Sequence, residues 1–243
     1  MLLGRLGWEA TSARHQSGRA HKVGRCRVGV VIPALNESAT ITRVVQAVRT
    51  YGEAIVVNDG STDDTESLAR NAGAVVVSHA INCGYDQALN SGFEKAADLG
   101  CEIIISVDAD GQHDPSLIEK FIAVALSGAD VVVGVRSSRP RFAEHLFAFY
   151  TSLRFGIRDP LCGMKAYRME VYRAQGYFDS YSSIGTELMI FAAKKGCRID
   201  QIPLVVRERQ DLPRFGNLLI SNLKILRAML RSFFRGRHYD SPL

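Results

Sequence analysis

Five short runs of aliphatic residues, each closed by a polar, glycine-bearing or charged segment, constrain this chain more than any other feature. They are Val28-Gly29-Val30-Val31-Ile32, Ala54-Ile55-Val56-Val57, Ala74-Val75-Val76-Val77, Ile103-Ile104-Ile105-Ser106-Val107 and Val131-Val132-Val133. Apolar at consecutive positions and β-rich, they fit strands buried on both faces. Between them the spacing turns helical. Ile41, Val44, Val45 and Val48 share one face within 37–48, and further helices are predicted up to about residue 72, over 87–99 and over 117–126. Strands alternating with helical stretches of about 10–15 residues indicate βαβ units, a largely parallel sheet and helices on both of its faces.

After Arg136 the alternation loosens. Phe142, Leu146, Phe147, Tyr150, Leu153 and Phe155 mark an aromatic-rich helix, as readily a core helix as part of a membrane-facing surface. A loop at 158–163 leads to a short helix around 169–173, another helix over 186–195 and a strand over 199–206.

In open α/β sheets ligands bind beyond the carboxyl ends of the strands. Two polar bursts fall at such ends, 58–64 and 108–114. In the second, Asp108 and Asp110 are two residues apart and lean the same way off an extended segment. Two carboxylates sharing a site repel unless a cation sits between them. With Gln112 they form a hard oxygen set suited to Mg²⁺ or Mn²⁺ and a phosphate-bearing substrate. The alternative is an acidic strand-to-helix loop in which Asp108 or Asp114 caps a helix.

Composition excludes more than it selects. The chain has 243 residues, 47% hydrophobic, with a formal net charge of +5, which names no partner by itself; no nucleic-acid partner is expected. Five cysteines without a C-x-x-C pair point to reduced thiols in a cytosolic setting. No run reaches the roughly 18–20 apolar residues of a membrane span, and Met1-Leu2-Leu3 meets Gly4 and Arg5 before a secretion signal could form. A P-loop and a dinucleotide fingerprint are both lacking. His79 and His113 have no metal-ligand spacing between them; His113, near the acid pair, is read as a supporting residue.

Both ends depart from the α/β pattern. Residues 1–27 form a basic extension with no sustained periodicity, expected to be disordered or a basic arm on anionic lipid. Over 216–236, Lys224, Arg227, Arg231 and Arg235 fall in one helical stripe, opposite Leu219, Leu223, Leu226, Leu230 and Phe233. A basic face opposed to a wide Leu/Phe face suits an interfacial membrane helix. The alternatives are a helix docked on the core or one buried in a homodimer.

Taken in order, several blocks resemble family-2 glycosyltransferases of the GT-A nucleotide-sugar-binding fold, nearest the dolichyl- or polyprenyl-phosphate sugar transferases. The blocks are Val31-Ile32-Pro33-Ala34-Leu35-Asn36-Glu37, Val56-Val57-Asn58-Asp59-Gly60-Ser61-Thr62-Asp63, Asp108-Ala109-Asp110-Gly111-Gln112-His113, 130–136 and 159–167. The resemblance implies a transferase domain over 28–212, followed by the amphipathic helix and tail of 213–243. It implies that Pro33, Leu35 and Glu37 line the base and ribose pocket and that Asp59 contacts base or ribose. Asp108 and Ala109 would meet the sugar nucleotide; Asp110 and Gln112, with Asp108, would hold the metal. Arg136 and Arg209 would reach the diphosphate or the acceptor, and Glu187 falls where the family has an acid near the acceptor. Two segments depart from the family pattern: Asn82-Cys83-Gly84-Tyr85-Asp86, where Lys or Arg is common, and the long stretch after Arg209.

The implied reaction is metal-dependent and inverting: a hexose leaves a UDP- or GDP-sugar for a polyprenyl phosphate at the cytoplasmic face of a membrane. A hydroxyl acceptor on a glycan or glycolipid is the alternative, with Glu187 then acting as base. A sugar nucleotidyltransferase or a silent membrane scaffold would be readings of another class. The first lacks its Gly-rich basic loop at 34–37; the second leaves Asp108, Asp110 and Gln112 unexplained.

Overall fold

The computed structural model describes residues 26–205 and 218–235. In chain order the elements are β1 (Val28–Ala34), α1 (Ile41–Val48), β2 (Glu53–Asp59), α2 (Thr65–Asn71), β3 (Val75–His79), α3 (Tyr85–Asp98), β4 (Ile103–Ser106), α4 (Leu117–Leu126) and β5 (Val131–Arg136). There follow α5 (Phe142–Phe155), β6 (Lys165–Arg168), α6 (Met169–Gln175), α7 (Glu187–Lys194), β7 (Ile199–Leu204) and α8 (Leu218–Arg235).

The strands form one seven-stranded sheet in the order β3-β2-β1-β4-β6-β5-β7. β1 pairs in parallel with both β2 and β4, whereas β6 runs antiparallel to its neighbours β4 and β5. The chain therefore winds outward from β1 to β3, then returns to the other side of β1 as β4. That reversal is the switch point at which open α/β sheets leave a crevice. Ile41, Val44, Ile118 and Phe121 pack one face of the sheet, Phe93, Phe147, Tyr167, Phe178 and Leu188 the other. On α3, Gly92 is required because a Cβ there would strike Val31 of β1.

Two elements differ from the sequence reading. β6 falls where the sequence pattern assigns no element, between the loop at 158–163 and the short helix; Lys165 to Arg168 pair with both β4 and β5, closing a gap in the sheet. α1 starts at Ile41 rather than Glu37, because Asn36 has a left-handed φ of 51° and the next residues turn before the helix begins.

α8 packs on the body through small side chains. Ser221, Ile225, Ala228 and Ser232 are buried, while Leu223, Leu230 and Phe233 of the predicted apolar face stay more than half exposed. The helix lies along α5: the Asn222 side chain accepts a hydrogen bond from the Ala143 N–H at 3.1 Å, and the Phe233 and Tyr150 rings sit 6.0 Å apart. Among the described residues no helix is long and apolar enough to cross a membrane.

Candidate active site

The loops after β1 and β2 are stitched together at the carboxyl edge. The Asn36 N–H donates to Ser61 Oγ at 2.9 Å, and Asn36 Oδ1 accepts from the Thr62 N–H at 2.8 Å. The Glu37 N–H donates to Thr65 Oγ1 at 2.7 Å, and Ser38 N–H to Asp63 at 3.1 Å. Pro33 and Leu35 remain half-buried on this rim, whereas Glu37 is buried and accepts from Thr40 Oγ1 at 3.2 Å. Asp59, at the end of β2, is buried too. Its two oxygens accept the N–H groups of Cys83 (2.9 Å) and Gly84 (2.8 Å), so it shapes the loop leading into α3.

The acid pair lies just past β4, at the switch point. Asp108 is partly open, with 34% of its side chain exposed, and accepts from His113 Nε2 at 3.1 Å. Burial alone would raise this carboxyl. The hydrogen bond and charge of His113, with Lys165 and Arg136 beyond, outweigh it and hold Asp108 below the usual carboxylate range. Asp110 Oδ1 accepts the Gln112 N–H at 3.0 Å across Gly111, whose φ of +72° makes the tight turn. Ala109 is buried between the two acids. On the opposite wall Gly163 is needed, since any Cβ would collide with the Asp108 carboxylate.

Arg136 reaches the same region already engaged. Its Nε and Nη2 grip Asp159 at 2.8 and 2.9 Å, and Nη2 also donates to Glu144 at 3.1 Å. Asp159 and Glu144 are both buried, and the pairing fixes the guanidinium plane. Burial works against its charge, but these carboxylates raise its pKa above the normal arginine value.

Behind the acid pair, Lys165 is buried on β6 and donates to the Gly185 carbonyl at 2.9 Å. Burial lowers its ammonium to about 8. The loop it touches is clamped by acids. Asp86 accepts the N–H groups of Gly185 (2.6 Å) and Ile184 (3.2 Å), and Asp179 those of Tyr181 (3.1 Å), Ser182 (2.6 Å) and Ser183 (2.9 Å). Glu187 is buried with one oxygen on the Ser180 N–H at 2.6 Å and the other on Ser180 Oγ at 2.9 Å. Arg209 lies outside the described residues.

The structure thus brings Asp108, Asp110 and Gln112 into one turn and carries Arg136 and Lys165 to its wall. It sets Glu187 at the first residue of α7, turned back onto Ser180. Sequence reading passed over Asp159 and Lys165. Lys165 carried a signal, as a lone charge in Met164-Lys165-Ala166-Tyr167; the grip of Asp159 on Arg136, 23 residues away, carried none.

Comparison with known proteins follows the same outline. The sequence profile of glycosyl transferase family 2 matches residues 29–175. A UDP-N-acetylglucosamine–dolichyl-phosphate N-acetylglucosaminyltransferase of Methanococcus voltae is 27% identical over 227 residues, covering 79% of this chain and 90% of its own. An undecaprenyl-phosphate 4-deoxy-4-formamido-L-arabinose transferase of Pectobacterium carotovorum is 30% identical over 222 residues, covering 83% of this chain and 65% of its own. Glucosyl-3-phosphoglycerate synthase from Mycobacterium tuberculosis, crystallised with Mn²⁺ and UDP-glucose, matches with a TM-score of 0.70 at 26% identity, covering 90% of this chain and 84% of that one.

Proposed function

The chain belongs to glycosyl transferase family 2 and has the GT-A fold, and from that premise we propose that it moves a hexose from a UDP-sugar to a polyprenyl phosphate at a membrane surface. Asp108, Asp110 and Gln112 would hold a divalent cation, and their chemistry fits one: hard oxygen donors in a single turn, with the Asp108 carboxyl kept ionised by a buried histidine. Such a cation, when bound, neutralises charge on the departing nucleotide diphosphate. Pro33, Leu35, Glu37 and Asp59 would line the base and ribose, with Ala109 against the sugar nucleotide. Arg136 would present Nη1, the guanidinium nitrogen without a hydrogen bond among the described residues, to a phosphate oxygen.

The observation that carries the choice of acceptor is the state of Glu187. A hydroxyl acceptor needs a base, and a positioned carboxylate typically contributes about 10²–10⁴-fold. Here both Glu187 oxygens serve Ser180 and the side chain is buried. A phosphomonoester, with a second pKa near about 6, is mostly ionised at neutral pH and attacks unaided. Phosphate chemistry fits a site whose candidate base is occupied.

A second observation supports a lipid. Phe142, Phe149 and Leu153 on α5 are 77%, 67% and 79% exposed, and Ile220, Leu223, Leu230 and Phe233 on α8 are each more than half exposed. Exposed Lys224, Arg227 and Arg154 border this apolar surface. An apolar band with basic flanks suits the interface of an anionic membrane, where a polyprenyl chain stays dissolved. The test is transfer of labelled sugar from UDP- and GDP-linked donors, with Mg²⁺ or Mn²⁺, into an organic-extractable product. Label found only in a water-soluble glycan would refute the lipid acceptor.

A further inference from the structure

Beyond the acid pair, a second group of potential ligands meets at the ends of β2 and β3. Asp59, His79 and Cys83 each offer one ligand atom, and these atoms lie within 4.8 Å of one another. Asp59 and His79 face each other across the β2–β3 register, and Cys83 sits in the loop that follows β3. The sequence hides the grouping, because the three are 20 and 4 residues apart on two strands and a loop.

We infer that Asp59, His79 and Cys83 form a binding site for a thiophilic divalent cation, Zn²⁺, whose occupancy closes the base pocket. The donor set is one carboxylate, one imidazole and one thiolate, which suits Zn²⁺ and not Mg²⁺ or Mn²⁺. Two ligands on a tetrahedral zinc stand about 3.3–3.7 Å apart, given Zn–ligand distances of about 2.0–2.3 Å. Asp59 Oδ1 and His79 Nδ1, 2.7 Å apart, therefore need to open by about half an ångström while Cys83 Sγ closes from within 4.8 Å, and the exposed Cys83 side chain can swing to do so. Three protein ligands leave a fourth position for water.

The histidine is already arranged for the exchange. Its Nδ1 lies 2.7 Å from Asp59 Oδ1 and its Nε2 lies 2.9 Å from Ser91 Oγ. Without metal, Nδ1–H donates to Asp59 and Nε2 accepts from the Ser91 hydroxyl. With metal, Nδ1 becomes the ligand, its proton is replaced by one on Nε2, and Nε2–H donates to Ser91 Oγ. A serine hydroxyl donates or accepts equally well, so Ser91 satisfies both tautomers. A fixed acceptor on the far ring nitrogen is the support that metal-bound histidines usually have. Cys83 gives up its thiol proton to solvent. Asp59 keeps the backbone N–H of Gly84 at 2.8 Å on its other oxygen, so the loop need not unravel.

The site itself stands on this geometry; the closure of the pocket also rests on the proposed role of Asp59 in binding the base. Asp59 cannot both coordinate a cation at this point and present the same face to a nucleotide.

The experiment uses the full-length protein and Co²⁺ as a spectroscopic stand-in for Zn²⁺. Wild type should develop a thiolate-to-cobalt charge-transfer band that saturates at one equivalent and is bleached by Zn²⁺. Cys83→Ser, a change at an exposed side chain, should lack the band and bind Zn²⁺ at least tenfold more weakly by calorimetry. No band in wild type, or the same band in the variant, overturns the site. UDP and GDP titrations in Mn²⁺ then test the closure: saturating Zn²⁺ should weaken wild-type binding at least tenfold and spare Cys83→Ser. Unchanged nucleotide affinity with Zn²⁺ bound overturns the closure. If zinc-free wild type binds neither nucleotide, the donor reading falls and the closure with it, while the cobalt band still decides the site.

Discussion

Two loops of this protein are rich in acids, and they use them in opposite ways. In the loop after β4, Asp108 is partly open and its recorded partner is an imidazole. At the loop before α7, Asp179 within it and Glu187 at the start of α7 are buried and turned onto N–H groups of the loop, and Asp86 closes on the same loop from α3. Buried carboxylates turned onto N–H groups hold the loop before α7 closed, whereas Asp108, backed by the buried His113, leaves part of its carboxylate exposed. Counting acids in the sequence does not separate these outcomes.

Each loop can be disabled separately. Asp110→Ala removes a proposed cation ligand from the open loop. It should cost a few kcal/mol of transition-state stabilisation, a loss on the order of a thousandfold in kcat/KM. Circular dichroism melting should show Tm little changed, since Asp110 lies on a half-buried turn.

Asp179→Ala acts on the closed loop. It strips the acceptor from the N–H groups of Tyr181, Ser182 and Ser183. With charged hydrogen bonds contributing about 1.5–3 kcal/mol each and partial rescue by water, we expect about 3 kcal/mol of destabilisation. For a chain of this size that lowers Tm by about 6–12 °C. An unchanged Tm would show that the loop holds itself without the acid.

The closed loop should also carry a pH signature. Burial, followed by the charge of Asp179, pushes the Asp86 carboxyl up to about 6 from 3.8. The folded protein then holds this proton more tightly than the unfolded chain. Its contribution to stability is fully present below pH 3.8 and is lost as pH rises through about 6. Asp86→Asn removes that dependence. The stability of the variant relative to wild type should therefore rise by about 2–3 kcal/mol between pH 4 and pH 7, read from urea melts. A flat difference would show that the proton on Asp86 is not linked to folding.

His113→Asn is the finest test of the open loop. Asp108 would lose its partner at 3.1 Å. Loss of such a supporting contact typically weakens metal binding by about 10–100-fold, which a Mn²⁺ titration measures directly. Full Mn²⁺ affinity would show that Asp108 is oriented without it.

Much of the fold could be read from periodicity, because buried parallel strands are apolar at consecutive positions and their helices are striped. β6 escaped because Lys165-Ala166-Tyr167-Arg168 is short, mixed in polarity and held by strands rather than by its own pattern. The α8 stripe left open which face packs on the body. Periodicity reports that a helix has two kinds of face, not which face a neighbour takes, and the body takes the side bearing the small residues Ser221, Ala228 and Ser232. The acid pair was legible because both members close one apolar run, although Asp110 lies in the turn that follows and not on the extended segment expected. The grips of Asp159 on Arg136 and of Asp86 on Gly185 span 23 and 99 residues, and only the folded sheet brings them together.

Sugar transfer to a lipid phosphate through the open acid loop has a direct test. Wild type and Asp110→Ala should be incubated with radiolabelled UDP-sugar, Mn²⁺ and polyprenyl phosphate in anionic vesicles, and the organic phase counted. Label should enter that phase with wild type and fall on the order of a thousandfold with Asp110→Ala. Equal transfer by both proteins, or wild-type label confined to the aqueous phase across the donor series, would contradict it.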